Sequence, residues 1–320
     1  MWRKIRSNYV LKEILIYLGD RRKFKLIKYN KKIQEIVGLN LIGFRKFSGR
    51  YIKEKYGRIG IYNSYNGNLI FEGEYSNGKR NGSGKEYNEE GNLLFEGEYL
   101  NDKRWKGIEK EYDEDTEKLI FECEYNNGQR NGEGKEYDKI NGELLFSGRY
   151  LNGKRNGKGK EYKLVPCEKH SYESNYYFYS SKFDSKFIII FSGEYLNGER
   201  KEGSEYNDKG TLVYKGEFLN GKKNGKGKLY YEGDMIYEGE FVNGKKNGKG
   251  VEYENYKNLK YEGEFLNGKK NGKIKEYSYH QNNFYDKEEP KLIFEGEYLD
   301  NYKDKGKEYY KNGNLFFEGE

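Results

Sequence analysis

A five-residue motif recurs along most of the chain and limits its fold more than any other feature. The motif is an aromatic residue, any residue, Gly, Glu or Arg, and a second aromatic residue, with Cys123 replacing Gly in one copy. Successive copies start 23 to 26 residues apart, except for two longer gaps of 45 and 33 residues. Such a period predicts a repeat array, in which each unit is too small to bury its own core and packs on its neighbours. Complete copies begin at Phe47, Phe71, Phe95, Phe121, Phe146, Phe191, Tyr214, Tyr237, Tyr261 and Phe294, and the chain ends inside an eleventh copy that starts at Phe317.

The residues around the motif predict one β-hairpin per repeat. In Phe71-Glu-Gly-Glu-Tyr75, the two rings and the glycine fall on one face of an extended strand and the glutamates on the other. A second segment follows an Asn-Gly link, as in Lys79-Arg-Asn-Gly-Ser-Gly-Lys-Glu-Tyr87. Short alternating runs joined by Asn-Gly are the strongest short-range hairpin signal, whereas a helix would lose ~1 kcal/mol at every glycine.

We therefore predict an all-β fold, an elongated single-layer antiparallel β-meander of tandem β-hairpins over residues 44–320, with insertions near 163–186 and 278–291. Two strands per hairpin advance the array by ~10 Å, so ten repeats would make a rod roughly 100 Å long. The composition agrees, because the 35 Tyr and 18 Phe supply large rings to a fold with little interior. Disordered chains, by contrast, are poor in aromatic residues.

Two copies are the most regular: Tyr237-Glu-Gly-Glu-Phe241 with Asn243-Gly-Lys-Lys-Asn-Gly-Lys-Gly250, and Tyr261-Glu-Gly-Glu-Phe265 with its own Asn-Gly links. These residues resemble the MORN repeat, and the resemblance covers about 47–320. It implies an elongated antiparallel sheet without catalytic activity, used as a scaffold, a dimerisation module or a membrane-associated platform. Departures from the pattern are Cys123, the stretch Trp105-Lys-Gly-Ile-Glu109 and the two insertions.

Residues 1–43 follow a different pattern, with apolar residues at helical spacing and no Gly-rich turns. We predict a short α-helical segment here. The stretch 11–36 resembles the F-box, a three-helix module that docks a ubiquitin-ligase adaptor, although the usual Leu-Pro opening is absent. The resemblance implies adaptor contacts at Leu11, Ile14, Leu15 and Leu18. The alternative is a helical cap that covers the edge of the first repeat.

Charge is concentrated at the N-terminus. Residues 1–46 carry thirteen Lys and Arg against three acidic residues, whereas the whole chain has a net charge of +7. The repeats are therefore nearly neutral, and we expect no nucleic-acid partner. Apolar runs are too short to cross a bilayer, and two cysteines cannot make a disulfide framework. We predict a cytoplasmic protein, with a location peripheral to a membrane as the alternative.

The aromatic residues of the motif form one candidate interaction surface. They either pack together as a core or line an open groove, and a groove would exceed the apolar patch that a monomer tolerates. In the second case they predict a partner protein or self-association. The candidates are Phe71, Tyr75, Phe95, Tyr99, Tyr237, Phe241, Tyr261 and Phe265.

Basic pairs after the Asn-Gly links form a second candidate surface. They would recur every ~10 Å along one edge and could meet anionic lipid head groups. The alternative is a role in solubility, since strand glutamates such as Glu72, Glu74 and Glu86 cancel much of their field. The candidates are Lys79, Arg80, Lys154, Arg155, Lys222, Lys223, Lys245, Lys246, Lys269 and Lys270.

We predict no catalytic, cofactor or metal site. The segment Gly148–Arg155 resembles a phosphate-binding P-loop but lacks its Ser or Thr and joins two predicted strands. Cys167 and His170 have metal-like spacing without two further ligands. Glutamate pairs that repeat identically lack the two unlike environments that acid–base catalysis needs.

The predicted function is therefore non-enzymatic, that of a protein-interaction or scaffold protein that binds a partner or itself. Two alternatives stay open. One is a substrate receptor, in which residues 9–37 recruit a ubiquitin-ligase adaptor. The other is a peripheral membrane tether that binds anionic lipid through residues 1–46 and the basic pairs.

Overall fold

The computed structural model describes residues 50–166, 185–254, 258–279 and 290–319. They form one open antiparallel sheet of 21 strands and contain no helix, which confirms the predicted all-β meander of hairpins. The strands are β1 (Arg50–Lys55), β2 (Arg58–Asn63), β3 (Leu69–Ser76), β4 (Lys79–Tyr87), β5 (Leu93–Leu100), β6 (Lys103–Tyr112), β7 (Leu119–Asn126), β8 (Gln129–Tyr137), β9 (Leu144–Leu151), β10 (Lys154–Pro166), β11 (Ser185–Leu196), β12 (Glu199–Tyr206), β13 (Leu212–Leu219), β14 (Lys222–Tyr231), β15 (Asp234–Val242), β16 (Lys245–Glu254), β17 (Asn258–Leu266), β18 (Lys269–Ser278), β19 (Lys291–Leu299), β20 (Tyr302–Tyr309) and β21 (Leu315–Gly319).

Several predicted features lie outside the described residues. They include the N-terminal segment with its four adaptor candidates, the pair Cys167 and His170, and most of the second insertion. Strands β10 and β11, which flank the first insertion, are the longest at 13 and 12 residues. Across the described ranges, the chain has no helix long and apolar enough to cross a membrane.

The described residues divide into two compact units. The first comprises 50–114 with 124–129, and its buried rings Phe71, Phe95 and Tyr99 form one cluster. The second comprises 115–123 and the described residues from 130 onward. Its core is a large cluster of aromatic residues followed by a smaller one around Ile274.

The Asn-Gly links form the tight turns of the hairpins. Asn152 and Gly153 both have positive φ, at 51° and 78°, as a type I′ turn requires. The amide of Gly153 also donates a hydrogen bond of 3.0 Å to the carbonyl of Arg130 in the preceding hairpin. The amides of Gly198 and Gly244 make the same bond to the hairpins before them. Each of these turns therefore reverses the chain and ties one repeat to the next.

The motif glycines of neighbouring strands lie directly opposite one another. Gly148 on β9 pairs with Gly159 on β10, and the ring of Phe146 lies against both. A Cβ atom on Gly148 would be 2.6 Å from the Cα of Gly159 and 2.8 Å from the Phe146 ring. The line of glycines thus leaves a trough that the rings fill. Cys123, which takes the glycine position in β7, is 2 % exposed, as expected for a small buried residue.

Candidate interaction faces of the sheet

Within each unit the motif aromatics lie on one face of the sheet, and we call these rings the ring layer. In six of the motifs the first ring packs edge-on against the second ring of its own hairpin and that of the next. Phe146, for example, contacts Tyr150 and Tyr195 with ring centroids 5.9 Å and 5.2 Å apart and the rings almost perpendicular. This geometry suits the ring quadrupoles and adds ~0.5–1.5 kcal/mol per pair beyond burial.

Burial in this layer favours the first of the two alternatives, in which the motif aromatics pack together as a core. Six of the eight candidates are at most 3 % exposed, and only Tyr75 and Tyr261 are half-buried. The rings form the core because the described residues supply no second layer, so each ring is covered by its neighbours. The six buried candidates are Phe71, Phe95, Tyr99, Tyr237, Phe241 and Phe265.

The second residue of each basic pair covers the ring layer. The guanidinium carbon of Arg155 lies 3.9 Å from the centroid of Phe146, and the Lys246 ammonium lies 4.6 Å from that of Tyr237. Cations over aromatic faces are stabilising when partly desolvated. Five of the ten residues of the predicted lipid-binding edge thus lie over the ring layer: Arg80, Arg155, Lys223, Lys246 and Lys270. The first residue of each pair is exposed at the turn edge: Lys79, Lys154, Lys222, Lys245 and Lys269.

A glutamate on the same face joins each of several hairpins to the next. Glu136 on β8 accepts hydrogen bonds from Nε and Nη2 of Arg155, at 2.8 Å and 2.6 Å, and one from the Tyr150 hydroxyl. Glu161 on β10 accepts from Tyr195 at 2.7 Å and from Arg200 at 3.0 Å. One carboxylate thus holds two side chains of the following hairpin.

These contacts shift the pKa of both partners. Burial by itself would raise the pKa of Glu136, but the hydrogen bonds from Arg155 and Tyr150 outweigh it and hold the pKa below its usual value. Glu161 is lowered in the same way by Arg200 and Tyr195. Burial first, and then the carboxylate, raise the pKa of Tyr150 above its usual value. The Glu–Tyr–Arg group is therefore held in the form of carboxylate, neutral phenol and guanidinium.

Sequence reasoning missed these glutamates. It placed Glu86 with the solvent-facing Glu72, whereas Glu86 lies directly opposite Phe71 and its carboxylate accepts from Tyr99 at 2.9 Å. The signal was present, because Glu86 is two residues after Gly84 and so shares the face of that glycine.

The repeats use two versions of this chemistry. In four motifs with Phe first and Tyr second, the phenol bonds a glutamate, and the covering cation is Arg in three of them. These phenols belong to Tyr99, Tyr150, Tyr195 and Tyr298. In the hairpins that begin at Tyr214 and Tyr237 the order is reversed, and these phenols donate to the carbonyls of Glu217 and Glu240, at 2.9 Å and 3.2 Å. Their cations are lysines, such as Lys223. Because these phenols donate to a backbone carbonyl, the glutamate carboxylate of the ring face accepts no bond from them. A lysine ammonium, which makes a single contact, then takes the place of the two-pronged contact of an arginine.

The opposite face of the sheet is charged and exposed. Side chains on either side of the motif glycines point there, and Lys and Glu pair across neighbouring strands. Each such pair is exposed enough to add at most ~1 kcal/mol to stability. Such pairs include Lys85–Glu96 at 2.9 Å, Lys228–Glu238 at 3.0 Å, Lys275–Glu295 at 3.3 Å and Lys307–Glu318 at 3.0 Å.

Exposed apolar residues lie at the turn edge of this charged face. Each follows the second ring of its motif, so strand alternation directs it away from the ring layer. We call six of them, one from each successive hairpin of the second unit, the turn ridge. They are 46 % to 60 % exposed: Leu151, Leu196, Leu219, Val242, Leu266 and Leu299.

The described ranges contain no group of three or more His, Cys, Asp or Glu placed to hold a metal ion. The P-loop-like segment runs from β9 through a type I′ turn into β10. It therefore lacks the helix N-terminus against which a P-loop holds phosphate.

Comparison with protein families agrees with this architecture. The MORN repeat family model matches six stretches, and each covers all or part of a hairpin that contributes to the ring layer: residues 71–92, 122–142, 146–163, 214–235, 237–256 and 261–273. This chain is a MORN repeat protein. Three further hairpins lie outside the matched stretches, yet their first rings, Phe95, Phe191 and Phe294, are at most 2 % exposed. The MORN architecture thus extends beyond the matched residues. No curated protein matches the chain.

Proposed function

We propose that this MORN repeat protein is a non-enzymatic scaffold that holds a protein partner along the turn ridge. The observation that carries the proposal is the exposure of one Leu or Val by each of six successive hairpins. Single exposed apolar residues are ordinary on protein surfaces. Here they recur in a regular series at one edge, and we infer that a partner contacts them together.

The packing of the ring layer supports this proposal, because its aromatic side chains contact one another and so are little exposed to a partner. The rings contact one another, and the arginines and lysines above them bind glutamates of the same face. A partner therefore gains access chiefly to the charged face and its turn ridge, where substitutions leave the core intact. Because the core and the binding surface lie on opposite faces of the sheet, a repeat protein can vary its binding surface without losing its fold.

The spacing along the ridge indicates the shape of the partner. Successive hairpins repeat every ~10 Å, since each contributes two strands at ~4.8 Å. About seven residues of α-helix cover the same distance at 1.5 Å per residue. Lys154, Lys222, Lys245 and Lys269 lie opposite ridge residues across the turns. The partner that fits best is an amphipathic helix with one apolar residue per heptad and acidic residues beside it.

The test compares partners captured by the full-length chain with those captured by a ridge variant, Leu219→Ser with Val242→Ser and Leu266→Ser. The matched control changes three exposed apolar residues of the same unit outside the ridge, Ile140, Leu145 and Tyr231. A partner that binds the wild type and the control, fails to bind the ridge variant and behaves likewise when purified would support the scaffold function. Equal binding to all three proteins, or no partner for any, would contradict it.

A second candidate is binding to an anionic membrane surface. The observation that favours it is the cross-strand pairing of an exposed apolar residue with an exposed lysine, as in Leu219 with Lys222. Surfaces that combine apolar residues with cations bind the interface of anionic bilayers, and the binding weakens with salt. Flotation with phosphatidylserine vesicles at low and high salt tests this alternative. Salt-sensitive flotation that Lys222→Gln, Lys245→Gln and Lys269→Gln abolish would support it, and absent flotation would exclude it.

A further inference from the structure

The charged face changes its pattern across β10 to β13. In several other hairpins a lysine beside the motif glycine pairs with a glutamate on the next strand, as Lys85 does with Glu96, whereas Lys135 on β8 lies opposite Ser147. At the corresponding positions here, Lys160 lies opposite Ser192, and Ser204 lies opposite Lys215. In the part of the chain that the structure describes, Lys160 and Lys215 consequently have no carboxylate partner.

The side chains before and after the glycines form two straight rows in this region. The first, which we call the Ser/Lys row, runs Lys160, Ser192, Ser204 and Lys215, each directly opposite the next across neighbouring strands. The second, the acid row, runs Glu194, Glu202 and Glu217, again directly opposite one another.

A shallow groove separates the two rows. Its floor is the backbone of the motif glycines, and its volume is about 600 Å³. Ser192 and Glu194 flank Gly193 on one strand, so the two rows are ~7 Å apart. Lys160, Ser192, Glu202 and Lys215 are among the lining residues. No other element covers this groove among the described residues.

The acid row is unfavourable for the sheet itself. Like charges directly opposite each other destabilise a strand pair. In most other hairpins the position of Glu202 is occupied by a lysine, as in Lys249, which lies opposite Glu264, although β8 has Glu133 there. Here Glu194 faces Glu202, and neither has an ion pair or side-chain hydrogen bond within the described chain. Lys158 lies opposite Glu194 at one end of the acid row, but it does not offset the contact between Glu194 and Glu202, which sheet stability does not explain.

We propose that this groove binds an extended peptide segment in which acidic and basic residues alternate. Side chains of an extended chain point alternately to opposite edges, so one edge would be acidic and the other basic. The acidic edge would lie on the Ser/Lys row and the basic edge on the acid row. A lone anion would be repelled by Glu194 and Glu202, and a lone cation by the two lysines.

The dimensions of the groove match such a segment. Lys160 and Lys215 are three strands apart, which is ~14 Å at the spacing of a sheet. Acidic residues four positions apart in an extended chain are also separated by ~14 Å. The residue between them would lie over the hydroxyls of Ser192 and Ser204. The glycine floor permits the close approach of another backbone.

The test uses two peptides of the same composition and charge. Acetyl-Glu-Lys-Glu-Lys-Glu-Lys-amide sorts its charges to two edges when extended, and a peptide of three Glu followed by three Lys does not. Binding to the full-length protein is measured by fluorescence anisotropy at low ionic strength. We expect the alternating peptide to bind at least about tenfold more tightly, because several ion pairs distinguish the two. Equal affinity, or no binding of either peptide, would overturn the proposal.

A protein variant sharpens the test. Ser192→Glu with Glu202→Lys restores the charge pattern of the other repeats and so should fold. We expect it to bind the alternating peptide about tenfold more weakly, while Glu295→Ser, at the same motif position in another hairpin, leaves affinity unchanged. Wild-type affinity in the restored variant would contradict the proposal. This inference rests on the proposed scaffold function only in assuming that the partner is a protein. If the ridge variant binds the alternating peptide as the wild type does, peptide binding in the groove is independent of partner binding at the turn ridge.

Discussion

The guanidinium of Arg155 lies over the ring of Phe146, 3.9 Å from its centroid, in the same hairpin. Its Nε and Nη2 atoms reach back to Glu136 in the preceding hairpin. One side chain thus covers the core and joins two repeats. A single-layer sheet needs this arrangement, because no second sheet or helix covers the rings in the described part of the chain.

Replacing Arg155 should destabilise the second unit. We expect Arg155→Met to lower the free energy of unfolding by about 2–3 kcal/mol, since it removes the cation above Phe146 and leaves the half-buried Glu136 without its main partner. The neighbouring exposed residue supplies the control, and Lys154→Met should change stability by less than ~0.5 kcal/mol. Urea titration followed by circular dichroism measures both. Equal effects of the two substitutions would show that the cation has no structural role.

The lowered pKa values of Glu136 and Glu161 predict acid sensitivity. A carboxylate whose pKa is lower in the folded state stabilises the fold above its unfolded pKa, here near 4.5. That contribution is lost as pH falls from about 4.5 through the folded pKa. We expect the urea midpoint to drop over this interval, and to drop less in Glu136→Gln. A variant with the same pH profile as the wild type would assign the acid sensitivity to other groups.

Tyrosine titration should depend on folding. Burial, followed by the hydrogen bond to Glu122 and its charge, raises the pKa of Tyr137 to about 12. A raised phenol pKa adds stability that is complete below the unfolded pKa of about 10 and is lost as pH rises through the folded value. Absorbance at 295 nm should therefore show a group of tyrosines that ionises only when the sheet unfolds. Complete ionisation of all tyrosines near pH 10 with circular dichroism unchanged would refute this expectation.

The glycine line predicts a steric effect. Gly148→Ala places a methyl group 2.6 Å from the Cα of Gly159 and 2.8 Å from the Phe146 ring. We expect a loss of about 1–3 kcal/mol, as for other overpacked cores. Lys158→Ala, on the exposed face of the neighbouring strand, is the control and should cost less than ~0.5 kcal/mol. Thermal unfolding compares them, and a Gly148→Ala protein as stable as the control would mean that the trough has spare room.

Much of the fold follows from local sequence. The alternation of Phe71, Gly73 and Tyr75 defines a strand with one aromatic face, and Asn-Gly supplies the positive φ angles of the turn. The second Asn-Gly of each repeat is different, because it forms a bulge and not a turn. Gly82, with φ at 101°, sits where a Cβ atom would collide with Glu74. The two identical dipeptides thus adopt different backbone structures because they lie at different positions in the hairpin.

The candidate surfaces were harder to predict. Arg80 and Lys79 are both basic, and they differ in the face of the sheet on which they lie. Arg80 covers the core, whereas Lys79 is exposed. Counting alternate positions back from Gly84 places Arg80 with the rings, a step the sequence allows. Contacts between hairpins, such as Glu136 with Arg155, connect residues 19 positions apart and depend on strand register. The sorted charges across β10 to β13 likewise become visible only when the rows are aligned.

A double-mutant cycle between Glu136 and Arg155 tests most directly whether shared carboxylates join one repeat to the next. The cycle compares the free energies of unfolding of the wild type, Glu136→Gln, Arg155→Met and the double variant. Our account predicts a coupling energy of about 1–3 kcal/mol, since the two residues share one network. Additive effects, with a coupling near zero, would contradict it.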